Sequence, residues 1–187
     1  MSRWDPGASD RLRDAALDLS LERGFENVTA TDIAVRAGLT RRTFFRHFGD
    51  TREVLFGGAE RLPGVLRQHV ASADSSLSPF ETALDALTRL GVLLTRHADR
   101  SQDRRSVIAA SPSLLERERT KHAALASALV DGLSARGSNA PELLAQVAVS
   151  VFATAFGQWV DDAGREEFPD VFHDAVVTIR SSIGPIS

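Results

Sequence analysis

Between Thr29 and Phe48 the chain reads TATDIAVRAGLTRRTFFRHF, two short helical segments punctuated by Gly38. Thr29 and Asp32 stand at the offset of a capping box, so a helix starts here, carries Ile33, Ala34 and Ala37 inward, and stops at Gly38. Thr40 caps the next helix, which runs to about His47. Gly38 can take the left-handed backbone of a tight turn at no steric cost. Ala34 is small enough to let two helices cross closely, and Phe44 and Phe48, at i and i+4, face back onto Ile33, Ala37 and Leu39. Turn glycine, crossing alanine and buried anchors at these offsets predict a helix-turn-helix.

The rest of the chain is helical in pattern too. No run alternates with period two, and no hairpin dipeptide joins β-branched runs. Leu12, Ala15, Ala16 and Leu19 give a first helix over about 11–23, capped by Ser9 or Asp10 and ended by Gly24. Asp50 and Glu53 form a second box-like pair that starts a fourth helix, kinked near Leu62 by Pro63. Gly57 and Gly58 inside that helix cost it roughly 1–2 kcal/mol against alanine, which reads as a hinge or as a place where a ligand meets backbone. Pro79 opens a helix to about His97, apolar on most sides through Ala83, Leu84, Leu87, Leu90, Leu93 and Leu94, and so central. Further helices follow at about 100–110, 113–136, 141–162 and 169–183. The expected fold is all-α, with about nine helices: an N-terminal three-helix unit over 1–49 and a larger helical bundle over 50–187.

Net charge is −3, yet residues 36–52 carry Arg36, Arg41, Arg42, Arg46 and Arg52 against Asp50 alone. Distribution decides here, because a local basic face is the electrostatic footprint of a nucleic-acid site. The second helix of a helix-turn-helix enters the major groove with its N-terminal residues on base edges. Thr40, Arg41, Arg42 and Thr43 occupy those positions, and an arginine fork can bond guanine O6 and N7 together. Arg46 and His47, one turn later, are placed for backbone phosphate. The flanking helix N-termini add Thr29, Thr31, Thr51 and Arg52.

The stretch ALDLSLERGFENVTATDIAVRAGLTRRTFFRHFGDTREVL, Ala15 to Leu55, resembles the DNA-binding domain of the tetracycline-repressor (TetR) family of bacterial transcription regulators. The resemblance implies three DNA-binding helices followed by about six that form a ligand-binding and dimerisation bundle. It also implies a palindromic double-stranded DNA operator and release by a small-molecule effector. Two positions depart from the family pattern. Phe45 stands where most members carry a tyrosine whose hydroxyl reaches phosphate, and Thr51 stands where they carry a lysine. The chain has a single lysine, Lys121, so arginine serves the phosphate roles.

In the larger bundle, Val149, Phe152, Phe156 and Trp159 with Val160 form one stripe. Phe168, Val171, Phe172, Ala175, Val176 and Ile179 form another, and the two stripes read either as a homodimer interface, as in the resembled family, or as an ordinary monomer core. Candidates to line a ligand cavity are Phe56, Leu62, Leu90, Leu93, Val107 and Phe152, with Arg89, Arg96, Arg104 or His122 as polar anchors.

Other classes fit poorly. Cysteine is absent, which excludes thiolate metal sites and a cysteine nucleophile. The five histidines are scattered, with no paired metal motif and no glycine-rich phosphate loop, so neither an enzyme nor a metal or cofactor is expected. MSRWDPGASD lacks the apolar core of a signal peptide, and apolar runs such as 147–156 fall short of a bilayer span, so a cytoplasmic protein with no membrane partner is expected. The remaining rival is a helical interaction module that binds no operator DNA.

Overall fold

Helical periodicity in the sequence becomes helix throughout. The computed structural model describes residues 7–96 and 98–183, and every regular element among them is helical. Among the described residues there are nine α-helices: α1 Ala8–Arg23, α2 Ala30–Arg36, α3 Arg41–His47, α4 Leu62–Ala71, α5 Pro79–Thr95, α6 Ser101–Ala109, α7 Pro112–Ala135, α8 Pro141–Asp161 and α9 Phe168–Ile183. Short 3-10 turns occupy Phe25–Asn27, Arg52–Phe56 and Ala59–Arg61. The expected end of α5 at about His97, and the first six residues, lie outside the described residues.

The chain divides into two units, one through Ala59 together with Asp103–Glu118, the other made of Glu60–Gln102 and the residues from Arg119 onward. In the first unit, Leu12, Ala15, Ala16 and Leu19 of α1 face a core shared with Phe25, Ile33, Ala34, Phe44 and Phe48. Val107 and Ile108 of α6 and Leu114 of α7 complete that core. α6 and the start of α7 are thus structural parts of the unit that carries the helix-turn-helix. Ser111, itself buried, donates to the Glu26 carboxylate at 2.6 Å, and Ser113 donates to the same oxygen at 2.9 Å.

In the second unit α5 packs on α4, α8 and α9, with Ala83, Ala86, Leu87 and Leu90 fully buried. Phe152 of α8 lies 5.6 Å from Phe168 and 5.9 Å from Phe172, both on α9, so three rings meet edge-on or stacked at the centre. α8 is long and apolar enough to cross a membrane by length and composition, contrary to the expectation from its shorter apolar runs. Half of its apolar window is buried inside the bundle, and Ser150, Thr154 and Gln158 face solvent at successive turns. That pattern is the one a buried core helix shows.

Three local expectations are corrected. α1 begins at Ala8 behind Gly7 with no side-chain cap, and Asp10 pairs instead with Arg13 at 2.8 Å. No continuous fourth helix starts at Asp50. The segment forms two 3-10 turns interrupted by Gly57 and Gly58, and the latter has φ +86°, incompatible with helix. The two glycines therefore carry no helix penalty. Gly57 makes room for α1, because a Cβ there would meet the Arg13 guanidinium at 2.7 Å. Pro63 sits in the first turn of α4, where its missing N–H costs nothing, so it opens a helix instead of kinking one. Asp50 does accept from the Glu53 N–H at 2.9 Å, but the returning bond to Glu53 comes from Gly49.

Gly91 marks the closest approach of α5 to α9: a Cβ there would lie 1.9 Å from the buried Phe168 ring. Gly91→Ala is expected to destabilise the chain by about 1–3 kcal/mol through forced repacking, despite alanine's better helix propensity. Urea unfolding of the variant against the parent chain measures this directly.

Candidate nucleic-acid interface

The recognition surface is built from the α2–α3 turn outward. Gly38 has φ +68°, the Leu39 N–H reaches the Ala34 carbonyl at 2.8 Å, and the Gly38 N–H reaches that of Val35 at 3.0 Å. These paired bonds form a Schellman ending, which satisfies the last carbonyls of α2 and turns the chain sharply into α3. Thr29 completes a full capping box at the start of α2. Its hydroxyl accepts from the Asp32 N–H at 3.2 Å, and the Asp32 carboxylate accepts from the Thr29 N–H at 3.0 Å. Thr40 caps α3 in the same manner, its hydroxyl accepting from the Thr43 N–H at 3.1 Å.

Phe44 is fully buried and Phe48 nearly so, their centroids 5.6 Å apart. With that face anchored, Arg41, Arg42, Phe45 and Arg46 all project into solvent. Thr29 and Thr31 are exposed as well, whereas Thr43 is half-buried with its hydroxyl 3.0 Å from that of Thr40. His47 is half-buried, its Nε2 is out of solvent, and its ring lies 6.4 Å from Phe48. Thr51 is half-buried, and exposed Arg52 holds Asp50 at 3.1 Å.

Two of the basic residues counted in the sequence have carboxylate partners. Arg36 forms a two-pronged bond with Glu22 of α1, both contacts 2.8 Å, which removes it from the outward basic face. Arg52 shares its charge with Asp50. α3 itself carries Arg41, Arg42 and Arg46, all exposed, on a helix braced from behind. Such a surface can meet guanine edges with planar guanidinium forks and phosphate with point contacts.

Sequence reasoning missed the residues that brace the segment after α3. Glu53, which accepts from Gly49, also forms a short ion pair with Arg117 of α7. The partners are 64 residues apart, as Ser111 and Glu26 are 85 apart, and no local signal marks such pairs.

The other expected site residues fall in different places. Phe56 and Val107 belong to the core of the first unit, while Leu90 and Phe152 belong to that of the second, with Leu62 packed at its edge. Leu93 and His122 are half-buried, Arg89 is engaged by Asp85 at 3.0 Å, and Arg96 and Arg104 are exposed. Of the side chains expected at a dimer interface, Phe152, Phe168, Phe172 and Val176 are buried within the chain's own bundle. Phe156, Trp159 and Ile179 remain half-exposed. In the second unit an open cleft of about 360 Å³ lies between α4 and α7, lined by Val70, Ala71, Ala128 and Gly132 with Arg67 and Asp131 at its rim. Among the described residues no group of three His, Asp or Glu side chains is placed to hold a metal ion.

Residues 12–57, the segment that forms this surface, match the family of bacterial regulatory proteins of the tetR type. The match is to this segment of the chain, the one that carries the helix-turn-helix. The chain is also similar to other transcriptional regulators. The HTH-type transcriptional regulator AlkX of Mycobacterium tuberculosis is 36% identical over 75 residues, 40% of this chain and 36% of AlkX. MftR of the same organism, described as a mycofactocin biosynthesis transcriptional regulator, is 24% identical over 81% of this chain and 79% of its own length. Among solved structures, Thermus thermophilus FadR, a TetR-family repressor in complex with lauroyl-CoA, shares the fold with a TM-score of 0.54. It is 20% identical, and the match covers 96% of each chain.

Two carboxylates that tie this unit together are favoured in their ionised form by the hydrogen bonds they accept. The Thr29 hydroxyl and N–H, helped by Arg23, hold the Asp32 carboxyl below its ordinary value. Ser111 and then Ser113 do the same for Glu26. A carboxyl lowered in the folded state contributes stability above its unfolded value, about pH 4, and loses it as pH falls through the folded value. The melting temperature of an Asp32→Asn, Glu26→Gln double variant should therefore fall less between about pH 6 and about pH 3 than that of the parent chain. Equal falls would show that neither carboxylate carries the linkage.

Proposed function

We propose that this TetR-family regulator is a ligand-responsive repressor that binds a palindromic operator as a homodimer and is released by a small-molecule inducer. The observation that carries the reading is the face of α3 bearing Arg41, Arg42 and Arg46, exposed while Phe44 and Phe48 pin the opposite face. We assign base reading to Arg41 and Arg42 at the start of α3, and phosphate contacts to Arg46, Arg52 and the threonines at the helix N-termini. On this reading residues 1–49, joined by Thr51 and Arg52 just beyond them, bind DNA, and the bundle within residues 50–187 binds ligand and dimerises. The outer faces of α8 and α9, with Phe156, Trp159 and Ile179 half-exposed and Leu143 and Val177 exposed, form the pairing surface. A two-fold dimer repeats the recognition helix about one DNA turn away, which explains why a palindrome suits it.

An inducer acts by binding the form that is incompetent for DNA more tightly than the competent one. The second unit, with Leu62, Leu90, Leu93 and Phe152, is its place in this reading. The fold shared with a repressor solved with lauroyl-CoA supports an effector with an apolar acyl portion. A cytoplasmic location and the absence of a catalytic role belong to the same reading.

Fluorescence anisotropy on duplexes selected from random DNA provides the test. Affinity should fall steeply and log-linearly with salt, as counterion release requires. Arg42→Ala should lose about 5- to 150-fold on the selected sequence and little on random duplex, the range expected for one fork on guanine. Arg52→Ala should weaken both alike. Salt-insensitive binding, or no binding, would favour the helical interaction module.

A further inference from the structure

Phe45 is the one aromatic side chain of α3 that the core does not use. It is 45% exposed, whereas neighbouring Phe44 is 0% and Phe48 5% exposed. An exposed phenylalanine on a recognition surface costs solubility and offers no hydrogen bond, so its place needs a physical reason. The ring is also held in a defined position. Phe44 meets it edge-on at 5.2 Å and 82°, and the Arg41 guanidinium carbon stands over it 5.0 Å from the centroid. At about 100° per residue, Phe45 lies about 40° around the helix from Arg41 and about 60° from Arg42, inside the basic face.

We infer that Arg41 and Phe45 act as one reading unit, the ring packing against a thymine methyl beside the guanine that the Arg41 fork contacts. This rests on the operator-binding reading above. Two chemical facts lead to it. A ring offers a guanidinium no conventional hydrogen-bond acceptor, so the Arg41 N–H donors stay available for a two-pronged bond to guanine O6 and N7. The ring itself has no polar atom, and the apolar feature that bases present in the major groove is the C5-methyl of thymine. Without a hydroxyl at this position no phosphate bond competes for the ring. The stack fixes the side chain of Arg41 before DNA arrives, so less rotamer freedom is lost on binding. Phe45 is thus a specificity-determining residue, and the half-site it selects contains a guanine next to a thymine.

The test uses the full chain and duplexes enriched from a random library. Each half-site should show the guanine–thymine step. Replacing that thymine by deoxyuridine removes only the methyl group and should weaken binding about fourfold per half-site. Phe45→Ala should bind the thymine and deoxyuridine duplexes equally, Phe45→Tyr should keep the parent ratio, and Arg41→Lys should lose the guanine preference while keeping the salt dependence. Phe45→Tyr should melt with the parent, and Phe45→Ala, which loses the edge contact to Phe44, should melt lower but stay folded at the assay temperature, which separates loss of reading from loss of fold. Enriched sequences bound equally with thymine and deoxyuridine, or an unchanged ratio in Phe45→Ala, would overturn this inference and leave operator binding standing. Failure to enrich any sequence would overturn both.

Discussion

Burial of Phe44 against Ile33 and Ala34 sets the direction in which every arginine of α3 points. A seven-residue helix has too few hydrogen bonds to be stable alone, so its orientation must come from packing and caps. Phe44 supplies the packing, Thr40 the cap, and the Gly38 turn the angle to α2. Opposite the buried face, arginine forks stand at fixed spacing on a support that does not need DNA to form. A charged patch on a mobile segment would have the same net charge and much less discrimination, because base reading depends on angle as well as sign.

The support extends further than the three helices that define the motif. Val107, Ile108 and Leu114 close the core under α1, and the Ser111–Glu26 and Arg117–Glu53 contacts hold the turns on either side of the helix-turn-helix. The second unit is organised on another principle. Its centre is a cluster of phenylalanine rings from α8 and α9, with α5 admitted closely through Gly91. Rings bury large areas with few rotatable bonds, which suits a bundle whose helices cross at close range.

Legibility from the sequence followed the range of the interactions. The caps at Thr29 and Thr40, the glycine turn and the inward pair Phe44 and Phe48 were readable because each is decided within about five residues. The segment after Asp50 was misread as one helix. Its acidic cap and apolar residues fit the helical pattern, but the positive φ of Gly58 and the crowding of Gly57 by Arg13 do not appear in periodicity. Arg36 counted as a basic residue of the face until its partner Glu22, fourteen positions away on α1, was in view.

The residue pattern by itself determined that the chain is all-helical, where the recognition helix begins and ends, and which of its side chains are basic and which apolar. Those properties follow from helix periodicity, capping chemistry and charge, all local. Tertiary structure alone decided that most of α6 and the first two turns of α7 belong to the unit that carries the helix-turn-helix, and that four expected interface residues are spent in the bundle core. It also decided that the Arg41 guanidinium lies over the Phe45 ring, which the sequence places on the DNA-facing side. Burial is a property of what the rest of the chain brings to a side chain, and the same phenylalanine reads alike in sequence whether a neighbour covers it or leaves it open.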